Sequence, residues 1–202
     1  LGNDFYAENI TFRNTAGPVG QALALEISAD RAFIKNCTML GWQDTLLAGN
    51  GRQYYKNCHI EGHCDFIFGG ATAVFEDCSI RCLSGGYITA ASTPKEQKYG
   101  FVFINCNIYG DGGEKKTDLG RPWRPYAHTV FLNCQMDAQI RPEGWNNWRD
   151  PEREKTARYA EYNSYGPGAN PEARVKWSRQ LSSEEAQEYT IENIFGNWNP
   201  LD

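Results

Sequence analysis

One short motif returns along this chain at intervals that leave little freedom in how it can fold. An Asn or Asp followed by Cys closes an apolar run at Asn36-Cys37, Asn57-Cys58, Asp77-Cys78, Asn105-Cys106 and Asn133-Cys134, and Asn9-Ile10 repeats it with Ile for Cys. From Ile10 through the successive cysteines the steps are 27, 21, 20, 28 and 28 residues. Three places before each site stand Ala7, Ile34, Tyr55, Phe75, Phe103 and Phe131; two places after it stand Phe12, Met39, Ile60, Ile80, Ile108 and Met136. A period in this range marks a solenoid, whose units bury their apolar faces only against neighbouring copies. The units are β-type runs broken by polar turns, with neither helical periodicity nor a leucine-rich pattern. The expected fold is therefore all-β, a parallel β-helix with coils stacked at about 4.8 Å.

Asn and Asp tolerate left-handed backbone, so the residue before each cysteine is expected to turn a corner. The cysteine then points inward as a small apolar side chain. The total of seven cysteines is odd, which suits a column of buried free thiols better than a disulfide framework. A column also lacks the tetrahedral clustering that a metal needs, so the thiols are not expected to bind one; no metal motif is present, and no cofactor is expected. The 202 residues suffice for one domain over 1–202, and 13% aromatics with 20 glycines fit a β-rich, loop-rich chain. A net charge of −5 without a basic run argues against nucleic acid, and no apolar stretch approaches membrane-spanning length. The repeats are expected to end near Met136. The Trp-, Pro- and Gly-rich tail beyond should hold one short helix, capped by Ser182 with Glu185 completing a capping box, that covers the end or flank of the solenoid.

The repeat arithmetic also brings chemistry together. Asp44 lies seven residues after Cys37 and Asp65 seven after Cys58. In register, their carboxyl groups stack on consecutive coils, about 5 Å apart. Counted the same way, later coils carry Gly85, Gly113 and Arg141, so the acid is not a general feature of the repeat. Two carboxyl groups so close titrate apart, one holding a proton while the other stays ionised, which supplies an acid beside a nucleophile or base. Spacing alone leaves open a solvated acidic pair, a cation site, or the paired carboxylates of a retaining glycosidase.

Longer blocks are more specific. Gln21-Ala22-Leu23-Ala24-Leu25, Gly41-Trp42-Gln43-Asp44-Thr45-Leu46, Asp65-Phe66-Ile67-Phe68-Gly69 and Leu119-Gly120-Arg121-Pro122-Trp123 occur in this order. Together with Glu143-Gly144-Trp145 and Tyr165-Gly166-Pro167-Gly168-Ala169, they resemble the signature blocks of pectin methylesterases. The resemblance implies a right-handed parallel β-helix and hydrolysis of methyl esters on polygalacturonate. It implies Asp65 as nucleophile, Asp44 as general acid and then base, Gln21 and Gln43 as oxyanion donors, and Arg121 as the cation paired with Asp65. Trp123, with Phe68 and Trp145, is expected to face the sugar. It further implies methyl-esterified pectin as substrate, a monomer, and a secreted or periplasmic location. His59, His63 and His128 are expected to be bystanders, and no nucleophile-elbow sequence supports a serine esterase.

The chain departs from the family pattern in places. Leu47 stands where many members have Tyr, so one aromatic sugar contact is expected to be missing. His63-Cys64 replaces a commoner small or β-branched pair before the nucleophile, and Tyr87–Pro94 looks closer to bacterial members than to plant ones. The chain opens inside the repeat, so the first coils of a complete catalytic domain are expected to lie outside it. The rival readings are two other β-helix enzymes that act on the same polymer, a pectate lyase and a polygalacturonase, and a non-catalytic polysaccharide-binding solenoid, which would keep Trp123 and Phe68 but tolerate loss of Asp44 or Arg121. Neither a calcium-binding acidic cluster nor adjacent paired aspartates is seen.

Overall fold

The computed structural model describes residues 2–111 and 116–201; Gly113, one of the offset positions above, lies outside them. The strands form two sheets in which every pairing is parallel and consecutive coils lie side by side. One sheet runs through Tyr6–Glu8, Ala32–Lys35, Arg52–Lys56, Thr72–Glu76, Phe101–Ile104, His128–Leu132, Arg158–Tyr162 and Arg179–Gln180. The other contains two long strands, His59–Gly69, which carries Asp65 and Phe68, and its neighbour Ser79–Ala91. The chain is a parallel β-helix.

Its interior is built from the residues that recur in sequence. Ala7, Ile34, Tyr55, Phe75, Phe103 and Phe131 pair in unbroken register. The rings of Tyr55, Phe75, Phe103 and Phe131 stack at centroid distances of 4.6, 4.5 and 4.5 Å, with planes within 12° of parallel. On the other sheet Phe12, Met39, Ile60, Ile80, Ile108 and Met136 form the matching column. Between the two sheets Asn36, Asn57, Asp77, Asn105 and Asn133 turn the corner at φ of 52–55°, in the left-handed region that short polar side chains tolerate. Each following cysteine is buried and unbridged. From Cys58 onward each thiol donates to the carbonyl three residues before the site on the preceding coil: Cys58 to Ile34, Cys78 to Tyr55, Cys106 to Phe75 and Cys134 to Phe103. A small apolar group with one weak donor suits that position.

The repeat does not end at Met136. Arg158–Tyr162 adds another coil, turned by Asn163 at φ 50°, with Ser164 in place of Cys. The apolar markers are lost there: Glu161 pairs with Phe131 in the register, where an aromatic ring would continue the stack. Its carboxylate is buried and receives two hydrogen bonds, of 2.8 and 3.0 Å, from the buried guanidinium of Arg174. The tail holds the expected helix, Ser183–Ala186, with both halves of the Ser182–Glu185 capping box, and a second, Ile191–Phe195. Ile194 and Phe195 bury themselves on the outer face of the first sheet, against Tyr54 and its neighbours. Arg52 donates to the carbonyl of Phe195, so the tail runs back along the flank toward the early coils. Among the described residues no helix is long and apolar enough to cross a membrane.

Candidate active site

The two aspartates meet as the arithmetic predicts. Gln43 bridges Cys64 in parallel register, and Gln21 bridges Gln43, so the residues that follow Gln43 and Cys64, Asp44 and Asp65, lie on adjacent coils at one height. Both sit at a second corner of the coil, in left-handed backbone (φ 62° and 49°). Asp44 N–H donates to the Cys64 carbonyl at 3.1 Å, tying the two corners together. The equivalence stops there. The next coil carries extra residues before its corner, and Tyr87, not a residue near Gly85, faces Cys64. Counting seven from Cys78 therefore misses the true neighbour. Arg141 likewise follows Ile140, which bridges Thr117, so it lies beside Asp118 in the column of Gln43, Cys64 and Tyr87 rather than in the column of the acids.

Arg121 reaches this point from 56 residues downstream. Its N–H donates to the Thr89 carbonyl and that of Trp123 to the Ala91 carbonyl, each at 2.9 Å, pinning the Arg-Pro-Trp segment along the Asp65 coil's neighbour. Gly120 makes the approach feasible: a Cβ there would fall 2.0 Å from Thr89 Oγ1. From this anchor the guanidinium takes Asp65 in a two-pronged grip, Nε to Oδ1 at 2.9 Å and Nη2 to Oδ2 at 2.6 Å. The pair is largely buried, which makes a fork-shaped donor a better partner than a lysine ammonium.

Asp44 has a different environment. It is 7% exposed. Burial, and then the negative charge of Asp65, push its carboxyl up to about 6; a hydrogen bond from Gln21 and the charge of Arg121 oppose this. The two acids thus divide into one held by a cation and one biased toward its protonated form. Cys64, between them in sequence and register, is driven up to about 11 by burial and then by Asp65. It remains a thiol, 3.7 Å from Arg121 Nη2.

Gln21, Gln43, Asp44, Asp65, Phe68, Arg121 and Trp123 line one shallow depression of about 160 Å³. Phe68 and Trp123 meet edge to face at 5.8 Å and form an apolar wall. Leu47 lies beside Phe68 in the register, where the expected aromatic is missing. Trp145 is a correction: it does not line this depression. It is 2% exposed in the solenoid core, stacked on Tyr159 at 4.3 Å and packed against Phe131, because Gly120 bridges it and draws its ring inward. Besides Trp123, the depression is lined by Trp148, three residues on from Trp145. Sequence reading missed it, and missed Tyr87, whose ring lies against Arg121. The one available signal was the Asn146-Asn147 pair before Trp148, a turn-former that throws the next side chain out of line. Among the described residues no group of three or more His, Cys, Asp or Glu is placed to hold a metal ion.

The sequence profile of the pectinesterase family matches residues 1–197. The chain belongs to the pectinesterase family. Pectinesterase 31 of Arabidopsis thaliana is 49% identical over 92% of this chain and 59% of its own length. The chain thus spans less than two thirds of that relative. Among solved structures, the pectin methylesterase from carrot superposes with a TM-score of 0.91 at 34% identity, over 98% of this chain and 68% of that one. A pectin methylesterase in complex with a hexasaccharide gives 0.83 at 32% identity, over 98% and 71%. With plant pectinesterases this similar, the bacterial affinity drawn from Tyr87–Pro94 gains no support.

Proposed function

We propose that this pectinesterase-family chain carries the catalytic machinery for removing methyl groups from methyl-esterified polygalacturonate, releasing methanol. The observation that carries the reading is the unequal pair: Asp65 held by both prongs of Arg121, beside an Asp44 whose carboxyl is raised to about 6. Asp65, ionised and oriented, attacks the ester carbonyl carbon. The carbonyl oxygen becomes an oxyanion, and the side-chain amides of Gln43 and Gln21 donate to it. As the C–O bond breaks, protonated Asp44 gives its proton to the departing methoxy oxygen, and methanol leaves. An acyl-enzyme remains on Asp65. Asp44, now ionised, takes a proton from water as the water oxygen attacks the same carbonyl. The bond to Asp65 breaks, the product acid is freed and loses its remaining proton to solvent, and both aspartates regain their starting states.

The wall of Phe68 and Trp123 supplies apolar surface for a sugar face, and the absence of an aromatic at Leu47 narrows it. A polymeric substrate argues for a location outside the cell or in the periplasm, and every residue given a role in this reading belongs to one chain, in keeping with a monomer. The test is methanol release from highly methylated pectin, with Asp65→Asn beside the wild type. Loss of methanol in a variant of unchanged circular dichroism supports the assignment. Turnover by Asp65→Asn would remove the nucleophile, and unsaturated or new reducing ends without methanol would point to a lyase or a glycosidase.

A further inference from the structure

The cation that grips Asp65 is itself gripped. The guanidinium carbon of Arg121 lies 3.6 Å from the centre of the Trp148 ring and 3.8 Å from the centre of the Tyr87 ring, which leaves it between two aromatic faces. The carboxylate of Asp65 holds the guanidinium in its plane, and the rings hold it from above and below. A free arginine side chain has several rotors and can meet a carboxylate in many ways. Here the contacts along and across its plane leave one. Cation–π contacts of this kind strengthen when the pair is shielded from water.

The rings arrive from unrelated parts of the chain. Tyr87 belongs to the coil after Asp65, next to Cys64 in the register. Trp148 comes from the tail, and its backbone is strained: Trp148 and Arg149 are successive non-glycine residues in left-handed conformation, at φ 61° and 57°. Left-handed backbone is unfavourable for side chains that carry a Cβ. The turn is held by side chains on both sides. Asn146 Oδ1 accepts from Trp148 N–H at 2.8 Å, Asn147 Oδ1 accepts from Arg149 N–H at 2.9 Å, and Asn147 Nδ2 donates to Glu154 at 2.7 Å. The strain falls at the point that lays an indole over Arg121.

We propose that Tyr87 and Trp148 are positioning residues: an aromatic clamp that fixes the plane of Arg121 and, through its two-pronged grip, the orientation of the Asp65 nucleophile. This rests on the esterase reading for its kinetic consequence, though the clamp has a signature of its own. In the substrate-free protein, the Arg121 Nε–H, bonded to Asp65 and flanked by ring faces, should give a slowly exchanging, ring-current-shifted ¹⁵N–¹H resonance, assigned by its disappearance in Arg121→Lys. Tyr87→Leu with Trp148→Leu should broaden or lose that resonance and lower kcat about 100-fold, the scale of a misplacement near 1 Å, with KM within a few-fold. Tyr87→Phe and Trp148→Phe should restore both. A raised KM with unchanged kcat would make the rings sugar contacts only and overturn the clamp. If the leucine variants fail to fold, the wild-type spectrum decides: a fast-exchanging, unshifted Arg121 Nε–H refutes it. If the wild type releases no methanol, the esterase reading fails, while the resonance still judges the clamp.

Discussion

Asp44→Asn should make the protein more stable at neutral pH and nearly inactive. The folded state raises the Asp44 carboxyl from 3.8 to about 6, chiefly by burial and then by the Asp65 charge. Between these values the folded protein binds the proton more tightly than the unfolded chain does. Stability therefore falls as pH rises from about 4 to 6 and stays reduced above that. At about 1.4 kcal/mol for each pH unit, the charge on Asp44 costs the fold up to about 3 kcal/mol at pH 7.5 and almost nothing at pH 4. Asparagine keeps the shape and removes the charge. Urea unfolding of both proteins at the two pH values reads the difference. Asp118 is also raised to about 6, by burial first, so it titrates in the same window. It is common to both proteins and cancels in the comparison. The variant should gain on the wild type by about 2–3 kcal/mol between pH 4 and 7.5, while methanol release is lost. A stability difference independent of pH would show that Asp44 ionises as an ordinary carboxylate, and the acid role would fall with it.

Three further outcomes follow from the same structure. With Asp44 as the general acid, kcat/KM should fall about tenfold per pH unit above about 6; a profile flat to pH 8 would exclude that role. Arg174→Met leaves the Glu161 carboxylate buried without its partner at the end of the core, and should lower stability by about 3–5 kcal/mol, read as a fall in unfolding midpoint; replacing both residues with apolar ones should recover much of it. A thiol reagent such as DTNB should find at most Cys64 in the native protein at pH 8, and that slowly, because six of the seven thiols are buried and Cys64 is held up at about 11; rapid reaction of several thiols without denaturant would contradict the buried column.

The sequence alone carries most of the fold and the stacked aspartates of the site. In a parallel solenoid the residue one period away is the neighbour in space, so counting residues measures distance. That is why the aromatic column from Tyr55 to Phe131, the left-handed asparagine corners, the inward thiols and the stacking of Asp44 on Asp65 were all legible. Counting failed where a coil changed length. The extra residues after Cys78 put Tyr87, not Gly85, beside the site. At the last coil, Glu161 and Ser164 replaced the apolar marker and the cysteine, so that coil went unseen.

Arg121 joins Asp65 across 56 residues, and nothing in the repeat measures that span; its partner was indicated by resemblance, and the tertiary structure sets the geometry. Trp145 and Trp148 look alike in sequence, each in a glycine- and asparagine-rich stretch. Which one enters the core and which covers the guanidinium depends on a β-bridge to Gly120 and on a strained two-asparagine turn. Periodic contacts are written into the chain because each coil repeats the geometry of the last. Contacts made by the unrepeated tail depend on where a path without a period comes to rest.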